Sequence, residues 1–287
     1  MFSQTRAGFI LFCVAVLMCG MAEGKRLRSF SNATGFCGSF VKWSLDFDSG
    51  NLTIGGDGEM TDPCDWDHAV ENSIKNCVIE DGVQSIAHDA FSYTTMTSVV
   101  IGNDVTVIGA NAFYKCDQME SVKFGNSVKE IGDHAFYYTH LLSVTIPKSV
   151  SIIADNAFAA CYNLLAIHVE SENMNFEEED GVLFTKGKTT LKRYPLAKPG
   201  DSYVIPEGVE SLADTSFRSA LHLSSVVFPD SLKTIGSSAF EACRKLEFAA
   251  IGRNVQSDSP NLQVLSTIRT LVLSVTELYW EERLLFE

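Results

Sequence analysis

The sequence has little positive charge. Its 287 residues include 22 lysines and arginines against 36 aspartates and glutamates, which gives a formal net charge of −14. A nucleic-acid-binding protein needs a basic stripe on its surface, so this charge balance argues against a nucleic-acid partner. No cluster of lysines and arginines suggests binding to anionic lipid, and we attribute the acidity to solubility.

The sequence also lacks the motifs of a catalytic or metal-binding site. It contains no nucleophile elbow, no phosphate-binding glycine loop and no cysteine–histidine nucleophile pair. A calcium loop that starts at Asp46 would need glutamate at its twelfth position, where Asp57 stands, so we prefer an ordinary acidic turn. We interpret the acidic residues 177–180 as a solvated turn. None of the histidines has zinc-ligand spacing: His68, His88, His134, His140, His168 and His222. We therefore predict no enzyme activity, no cofactor and no metal.

An apolar run at the N-terminus, residues 7–21, is short for a membrane-spanning helix, which needs about 20 residues. It follows the basic residue Arg6 and ends at Ala22-Glu23-Gly24, the small-x-small pattern of a secretory signal peptide. We predict that residues 1–24 are a cleaved signal peptide, with a retained anchor as the alternative. The mature chain is then secreted or lies on the extracellular cell surface, and we expect no membrane contact after cleavage.

A repeat dominates the rest of the chain. Apolar residues recur as L-x-x-V-x-I, followed by Pro or Gly, then by V-x-x-I-G and by a pair that ends in phenylalanine: Phe91, Phe113, Phe136, Phe158, Phe217 and Phe240. Most of these phenylalanines are 22 or 23 residues apart, which is the period of a leucine-rich-repeat solenoid. The V-x-I pair has a period of two, which predicts a short strand with one face inward. Stacked coils then share one core.

These residues resemble the BspA-type leucine-rich repeat, V-x-x-I-G-x-x-A-F-x-x-C-x-x-L-x-x-V-x-I-P. Residues 128–136 carry the first half of this motif, and Phe158, Cys161, Leu164 and Ile167 carry the second half. The resemblance covers roughly residues 77–255. It implies a surface or secreted protein, because members of this family in bacteria and parasitic protists are associated with adhesion to host or extracellular proteins and to other cells.

The fold class that we predict is a BspA-type solenoid of short β-strands, turns and short helical or irregular segments, with an N-terminal β-hairpin cap. Residues 25–75 form the cap module, which resembles the module that often precedes such repeats. Residues 76–256 form the repeats, and an insertion at about 170–202 adds a hairpin to one coil. Residues 257–287 lack the repeat, so this tail is either a helical cap or the end of a truncated array.

The cysteines suggest two roles. Export of the chain permits a disulfide among the cysteines near the cap; the pairing Cys37–Cys64 comes first, and the pairings with Cys77 stay open. Cys13 and Cys19 leave with the predicted signal peptide, and the three remaining cysteines lie three residues after a repeat phenylalanine, where other copies have threonine or alanine. We predict that they are free core thiols: Cys116, Cys161 and Cys243. Export also fits two N-glycosylation sequons, at Asn32 and Asn51.

The candidate binding face consists of the strand residues that alternate with the core pair: Ser98, Val100, Ser121, Lys123, Ser143, Thr145, Ala166, His168, Ser225 and Val227. Repeat proteins commonly bind partners along such a surface, although each residue alone merely suits an exposed strand. We predict an adhesin-like protein that engages extracellular or host proteins, or ligands on other cells. The alternative is a structural coat protein that self-assembles through its repeat edges.

Overall fold

The computed structural model describes residues 32–251, apart from 62, 63, 65 and 67, together with residues 270–273. The predicted signal peptide and most of the predicted tail lie outside the described residues. The described part is a β-solenoid of about eight turns with almost no helix, which confirms the predicted fold class. Its one helical turn is His68–Glu71. No helix in this part of the chain is long and apolar enough to cross a membrane.

Each regular coil contributes two short strands. The first strands are β3 (Asn51–Gly56), β5 (Asn76–Ile79), β7 (Ser98–Val100), β9 (Ser121–Lys123), β11 (Ser143–Ile146), β13 (Ala166–Val169), β17 (Ser202–Val204), β19 (Ser225–Val227), β21 (Phe248–Ile251) and β22 (Thr270–Leu273). The second strands are β4 (Gly58–Glu59), β6 (Val83–Ile86), β8 (Val107–Ile108), β10 (Glu130–Ile131), β12 (Ile152–Ile153), β16 (Thr190–Arg193), β18 (Ser211–Leu212) and β20 (Thr234–Ile235). The remaining strands are β1 (Asn32–Phe36), β2 (Val41–Asp46), β14 (Phe176–Glu179) and β15 (Val182–Thr185).

Parallel pairing stacks equivalent residues of successive coils. Val99 of β7 lies opposite Val122 of β9, and Ile131 of β10 lies opposite Ile153 of β12. Because side chains alternate along a strand, every coil turns its apolar pair inward at the same place, about 4.8 Å from the pair of its neighbour. The apolar period of the sequence is thereby converted into continuous buried rows.

The repeat phenylalanines form the centre of the core. The ring centroids of Phe91 and Phe113 are 5.1 Å apart, those of Phe113 and Phe136 are 5.1 Å apart, and those of Phe136 and Phe158 are 5.4 Å apart. These rings are stacked within 12° of parallel and are almost completely buried. Such stacked pairs add to the stability that burial of the rings already provides.

The N-terminal hairpin is part of the same stack. Strands β2 and β3 pair antiparallel, with Trp43 opposite Ile54, and β3 then pairs in parallel with β5. Stacking of coils therefore starts at β3, before residue 76. A disulfide joins Cys37 to Cys64, whose Cα atoms are 4.2 Å apart, and this is the pairing that the sequence placed first.

The insertion forms a hairpin, with β15 antiparallel to both β14 and β16. Strand β16 then returns to the stack by pairing in parallel with β18. The interpretation of residues 177–180 as a turn is wrong for Glu177–Glu179, which lie on β14; only Asp180, at φ 52°, is at the turn. They adopt a strand because pairing with β15 satisfies their backbone, while Lys186 and Lys188 form ion pairs with two of the carboxylates.

The core changes where the insertion meets the coil at Phe158. Tyr194 takes the place of a repeat phenylalanine and stacks on Phe217 at 4.9 Å. The buried guanidinium of Arg193 lies beside it. One amino group of Arg193 donates a hydrogen bond to the carbonyl of Thr215 at 2.6 Å and the other donates to that of Phe158 at 3.4 Å. Burial lowers the pKa of Arg193 to about 10. Polar contacts thus join the two apolar clusters of the core at this junction.

The predicted helix in the tail is wrong for residues 270–273. These residues form strand β22, which pairs in parallel with β21. The physical reason is that β21 offers an open strand edge, and Thr-Leu-Val-Leu is a sequence with high strand propensity. The rest of residues 257–287 lies outside the described residues.

Most turns after a second strand contain residues with left-handed backbone, although they are not glycines. In the six coils with a repeat phenylalanine, one such position lies two residues after that ring: Tyr93, Lys115, Tyr138, Ala160, Ser219 and Ala242, with φ between 55° and 63°. This conformation costs a residue with a Cβ about 1–2 kcal/mol. Hydrogen bonds between coils hold it in place, for example from the amide of Lys115 to the carbonyl of Tyr137 at 2.8 Å.

We expect Ala242→Gly to stabilise the protein by about 0.5–1 kcal/mol, since glycine removes the left-handed penalty at a smaller entropic cost. Ala242 is exposed, so no packing is lost. Urea denaturation measures the change. Ala159→Gly is the control, because Ala159 is buried and does not have a positive φ; it should destabilise the protein. A loss of stability in both variants would contradict the explanation.

We expect Phe136→Ala to destabilise the protein by about 3–5 kcal/mol, because it empties a site between two stacked rings. The midpoint and slope of chemical denaturation report the change. Leu142→Ala, at a position that is 50% exposed, should change the stability by less than about 0.5 kcal/mol. Similar losses for both variants would show that the ring stack is not the main support of the coil.

Candidate binding surface

The predicted binding residues all lie on the first-strand side of the solenoid and point away from the core. Seven are exposed: Val100, Ser121, Lys123, Ser143, Thr145, His168 and Val227. Three are half-buried: Ser98, Ala166 and Ser225. The alternation of the strands places them there, because the residues between them, such as Val99 and Val144, are buried.

The outward residues form two rows across neighbouring coils. In one row, Val100 pairs with Val78 on one side and with Lys123 on the other. In the other row, Ser98 lies opposite Asn76, and its hydroxyl donates a hydrogen bond to the Asn76 side-chain oxygen at 2.9 Å. The face predicted from the repeat does not include β5, although Cys77-Val78-Ile79 fits the same alternating frame. Val78 is 43% exposed and extends the face by one coil.

The insertion divides this face. The amide of Ile167 on β13 donates a hydrogen bond to the carbonyl of Gly181 at 2.8 Å, so the turn of the β14–β15 hairpin occupies the edge of β13. Within the described sheets, β13 pairs with β11, and β17 pairs with β19. Thr145 and His168 therefore belong to a different part of the face from Val227. This break could not be predicted from the sequence, because the length of an insertion does not tell where it packs.

His168 lies at the border of the insertion. Its Nδ1 is 3.6 Å from a carboxylate oxygen of Glu178 on β14. This ion pair forms only when the imidazole is protonated, and both side chains are partly exposed, so it contributes little stability. The contact shows that the insertion places the acidic strand β14 beside the candidate face.

A groove with exposed aromatic side chains lies at the N-terminal end of the six-stranded sheet that contains β5, β7 and β9. Phe36 and Phe40 are 52% and 74% exposed, and the Lys42 ammonium lies 5.8 Å from the centre of the Phe36 ring. Glu80 lines both this groove and the shallower one beside Val100 and Lys123. The outer side of the sheet is therefore one surface from β1 to β9.

Among the described residues, burial suppresses the thiolate form of the cysteines outside the disulfide. Cys77, Cys116 and Cys161 are buried, and burial raises the pKa of each thiol, to about 12 for Cys116. The thiol of Cys116 donates a hydrogen bond to the carbonyl of Phe91 at 3.0 Å, and Cys161 contacts Phe136 in the same way. These thiols therefore connect successive coils.

Among the described residues, no group of three or more His, Cys, Asp or Glu side chains is placed to hold a metal ion. The turn that begins at Asp46 is closed by its own hydrogen bonds, from the amide of Asp48 and the hydroxyl of Ser49 to the Asp46 carboxylate. Both sequon asparagines, Asn32 and Asn51, are exposed. Their glycosylation stays a prediction.

The profile of the BspA type leucine-rich repeat region matches six copies in this chain, over residues 69–180 and 199–274. The second range includes β22, in agreement with its pairing to β21. Among solved structures, a leucine-rich repeat protein from Eubacterium ventriosum is 26% identical, with a TM-score of 0.59 over 77% of this chain and 72% of that chain.

Two further structures show the same fold. The pneumococcal vaccine antigen PcpA is 21% identical, with a TM-score of 0.60 over 77% of this chain and 71% of that chain. A leucine-rich cell surface protein from Faecalibacterium prausnitzii is 20% identical, with a TM-score of 0.55 over 84% of this chain and 95% of that chain. No curated protein of known function matches the sequence.

We expect Cys116 to react with N-ethylmaleimide at pH 8 on the order of 1,000-fold more slowly in the native protein than in the unfolded chain, because the raised pKa removes the thiolate. Burial raises the pKa of Cys243 to about 11, so its reaction should be slowed on the order of 100-fold. Peptide mapping by mass spectrometry gives the rate for each cysteine. Rapid labelling of native Cys116 would show that the coil opens readily.

Proposed function

Because the chain belongs to the BspA-type leucine-rich-repeat family, we propose that it is a secreted or cell-surface protein that binds other proteins and has no catalytic activity. The name of the Faecalibacterium relative as a cell surface protein supports the proposed location. The proposed partner class is an extracellular or host protein, or a ligand on another cell. The adhesin-like role rests on the surface that the coils present.

The observation that carries this proposal is the exposed row formed by Val78, Val100 and Lys123 on adjacent strands. Hydrogen bonds between the strands fix the spacing of these side chains, and the side chains of valine, serine and threonine have few rotamers to lose. A partner that docks on this row therefore orders few groups, which lowers the entropic cost of binding.

The chemistry of the face favours a protein partner over a small molecule. A small-molecule site is usually an enclosed, mostly apolar pocket with a few polar groups that converge on the ligand. Here the outward side chains are small and spread over neighbouring strands, with Lys123 and His168 as the basic members. Such a broad, open surface of small apolar and polar side chains fits a protein interface.

Two features support a binding role without catalysis. The raised pKa values of the buried thiols leave these groups without a reactive thiolate at neutral pH. The face itself contains one imidazole, that of His168, and its nearest carboxylate belongs to the insertion. A general acid or base must lie within hydrogen-bond reach of the proton that it transfers, and this imidazole lies on an open strand surface rather than in a pocket that would hold a substrate.

We expect Lys123→Glu combined with His168→Glu to reduce binding to extracellular glycoproteins and to intact host-type cells by at least about tenfold. Each change places a negative charge on the face, and rejection of a desolvated like charge costs about 1.4 kcal/mol or more. Surface plasmon resonance against a panel of extracellular glycoproteins, and flow cytometry with labelled protein, measure the loss.

The matched control is Lys129→Glu combined with His88→Glu, which makes the same change of charge at two exposed positions outside the first strands. The control should bind as the unchanged protein does. Equal binding by both double variants would move the site to the insertion or to the groove at Phe40. Absence of binding, together with mass that increases with concentration, would favour a self-assembling coat protein instead.

A further inference from the structure

A stripe of tyrosines runs along the turns that follow the second strands, apart from the first-strand face. Five of the eight tyrosines of the chain lie on it: Tyr93, Tyr114, Tyr137, Tyr138 and Tyr162. They come from four successive coils. The equivalent turns of later coils carry Arg218 and Glu241, which form an ion pair, so the repeat itself does not require tyrosine at these positions.

The five rings contact one another in sequence. Tyr93 meets Tyr114 edge-to-face at 5.6 Å, and Tyr114 stacks on Tyr137 at 5.0 Å. Tyr137 is 6.4 Å from Tyr138, which meets Tyr162 edge-to-face at 5.7 Å. The outer rings are well exposed: 61% for Tyr93 and 40% for both Tyr138 and Tyr162. Exposed tyrosines grouped in this way are typical of interaction surfaces.

One end of the stripe already holds a cation. The Lys115 ammonium lies 5.4 Å from the ring centre of Tyr93 and 5.4 Å from that of Tyr114. Within about 6 Å of the face of an aromatic ring, a cation is attracted by the negative charge of the π system. The corner between these two perpendicular rings is therefore a site that fits an amine.

The other end has a similar pair of rings without an amine from the described residues, although Tyr162 lies four residues after its repeat phenylalanine and Tyr114 only one. Tyr138 and Tyr162 meet at 84° and 5.7 Å, as Tyr93 and Tyr114 meet at 70° and 5.6 Å. Tyr138 occupies the repeat position of Tyr93, one residue in each coil with a left-handed backbone. The next coil has Ala160 at the position of Lys115, and a methyl group cannot act as the cation.

We propose that the corner between Tyr138 and Tyr162 binds an arginine or lysine side chain of a partner protein, presented on an exposed basic segment. On the same molecule, the corner between Tyr93 and Tyr114 holds the ammonium of Lys115. This site is separate from the first-strand face, so the proposal stands whether or not that face binds a partner.

The charge of the chain favours a basic partner. The net charge of −14 attracts a cationic segment from a distance. Close to the stripe, Asp133 accepts a hydrogen bond at 2.7 Å from His134, whose ring is 5.1 Å from that of Tyr137. The carboxylate therefore lies near the middle of the stripe, where it favours a cationic ligand over an anionic one.

The test uses a hexa-arginine peptide as the probe and a hexa-citrulline peptide, which has nearly the same shape without charge, as its control. Isothermal titration calorimetry of the whole protein at 0.15 M salt gives the two affinities. We expect the arginine peptide to bind at least about tenfold more tightly than the citrulline peptide, and binding of citrulline with equal affinity would overturn cation recognition.

The decisive variant is Ala160→Lys, which supplies this corner with a lysine from the chain itself, at φ 56° against 55° for Lys115. We expect this variant to lower the affinity for the arginine peptide about 5- to 30-fold, which is the effect of one or two cation–π contacts. Ser219→Lys is the matched control: it adds the same charge at the same repeat position, with φ 62°, in a coil without the tyrosines. Equal weakening by both variants would overturn the site.

A second pair of variants tests the corner that Lys115 fills. Lys115→Ala should open this corner and raise the affinity for the arginine peptide about two- to fivefold, since a second equivalent site becomes free. Lys129→Ala removes the same charge from an exposed position outside the stripe and should change the affinity less. If Lys129→Ala raises the affinity as much as Lys115→Ala does, the effect is general electrostatics and the proposal is wrong.

Discussion

The stack of buried rings, one in each coil, is the contact on which the rest of the structure depends. Ring centroids lie 5.1–5.4 Å apart from Phe91 to Phe158, close to the strand spacing of about 4.8 Å. A coil cannot bury its ring alone, so its stability comes from its neighbours. Every residue at a fixed place in the repeat therefore joins a row. The face of Val78, Val100 and Lys123 is one such row.

The insertion shows what happens when this spacing is interrupted. Tyr194 starts a new ring stack on Phe217, and Arg193 fills the junction with hydrogen bonds to the carbonyls of Thr215 and Phe158. Within the described residues, no carboxylate is bonded to this guanidinium, and its Nε lacks a partner. Desolvation of a charge costs free energy that such bonds only partly offset. The junction thus contains a buried charge, and it divides the first-strand face at the same point.

The periodic features of the fold could be predicted from the sequence, whereas the departures from the period could not. The phenylalanine spacing gave the solenoid, and alternation gave the outward direction of residues such as Ser121 and Lys123. The strand at residues 270–273 could not be predicted because the repeat pattern is lost there. Its formation depends on pairing with an open strand edge, which is a tertiary contact. The buried Arg193 was missed because neither its spacing nor an acidic neighbour marks it. The tyrosine stripe could not be predicted from the repeat motif, because tyrosine at these positions is not shared by the copies.

This last difference has a physical basis. The residues that repeat in every coil are those that fill the core or make the turn, and they are the same wherever the stack must be continuous. Recognition needs the opposite, because a partner can distinguish one coil from another only at positions where the coils differ. Lys115 and Ala160 hold the same place, with the same backbone, in different coils. Lys115 fills the corner between Tyr93 and Tyr114 with its own amine. Ala160 leaves the corner between Tyr138 and Tyr162 open to an amine of a partner protein. In a solenoid of nearly identical coils, binding specificity therefore resides in such substitutions at positions that the core does not constrain.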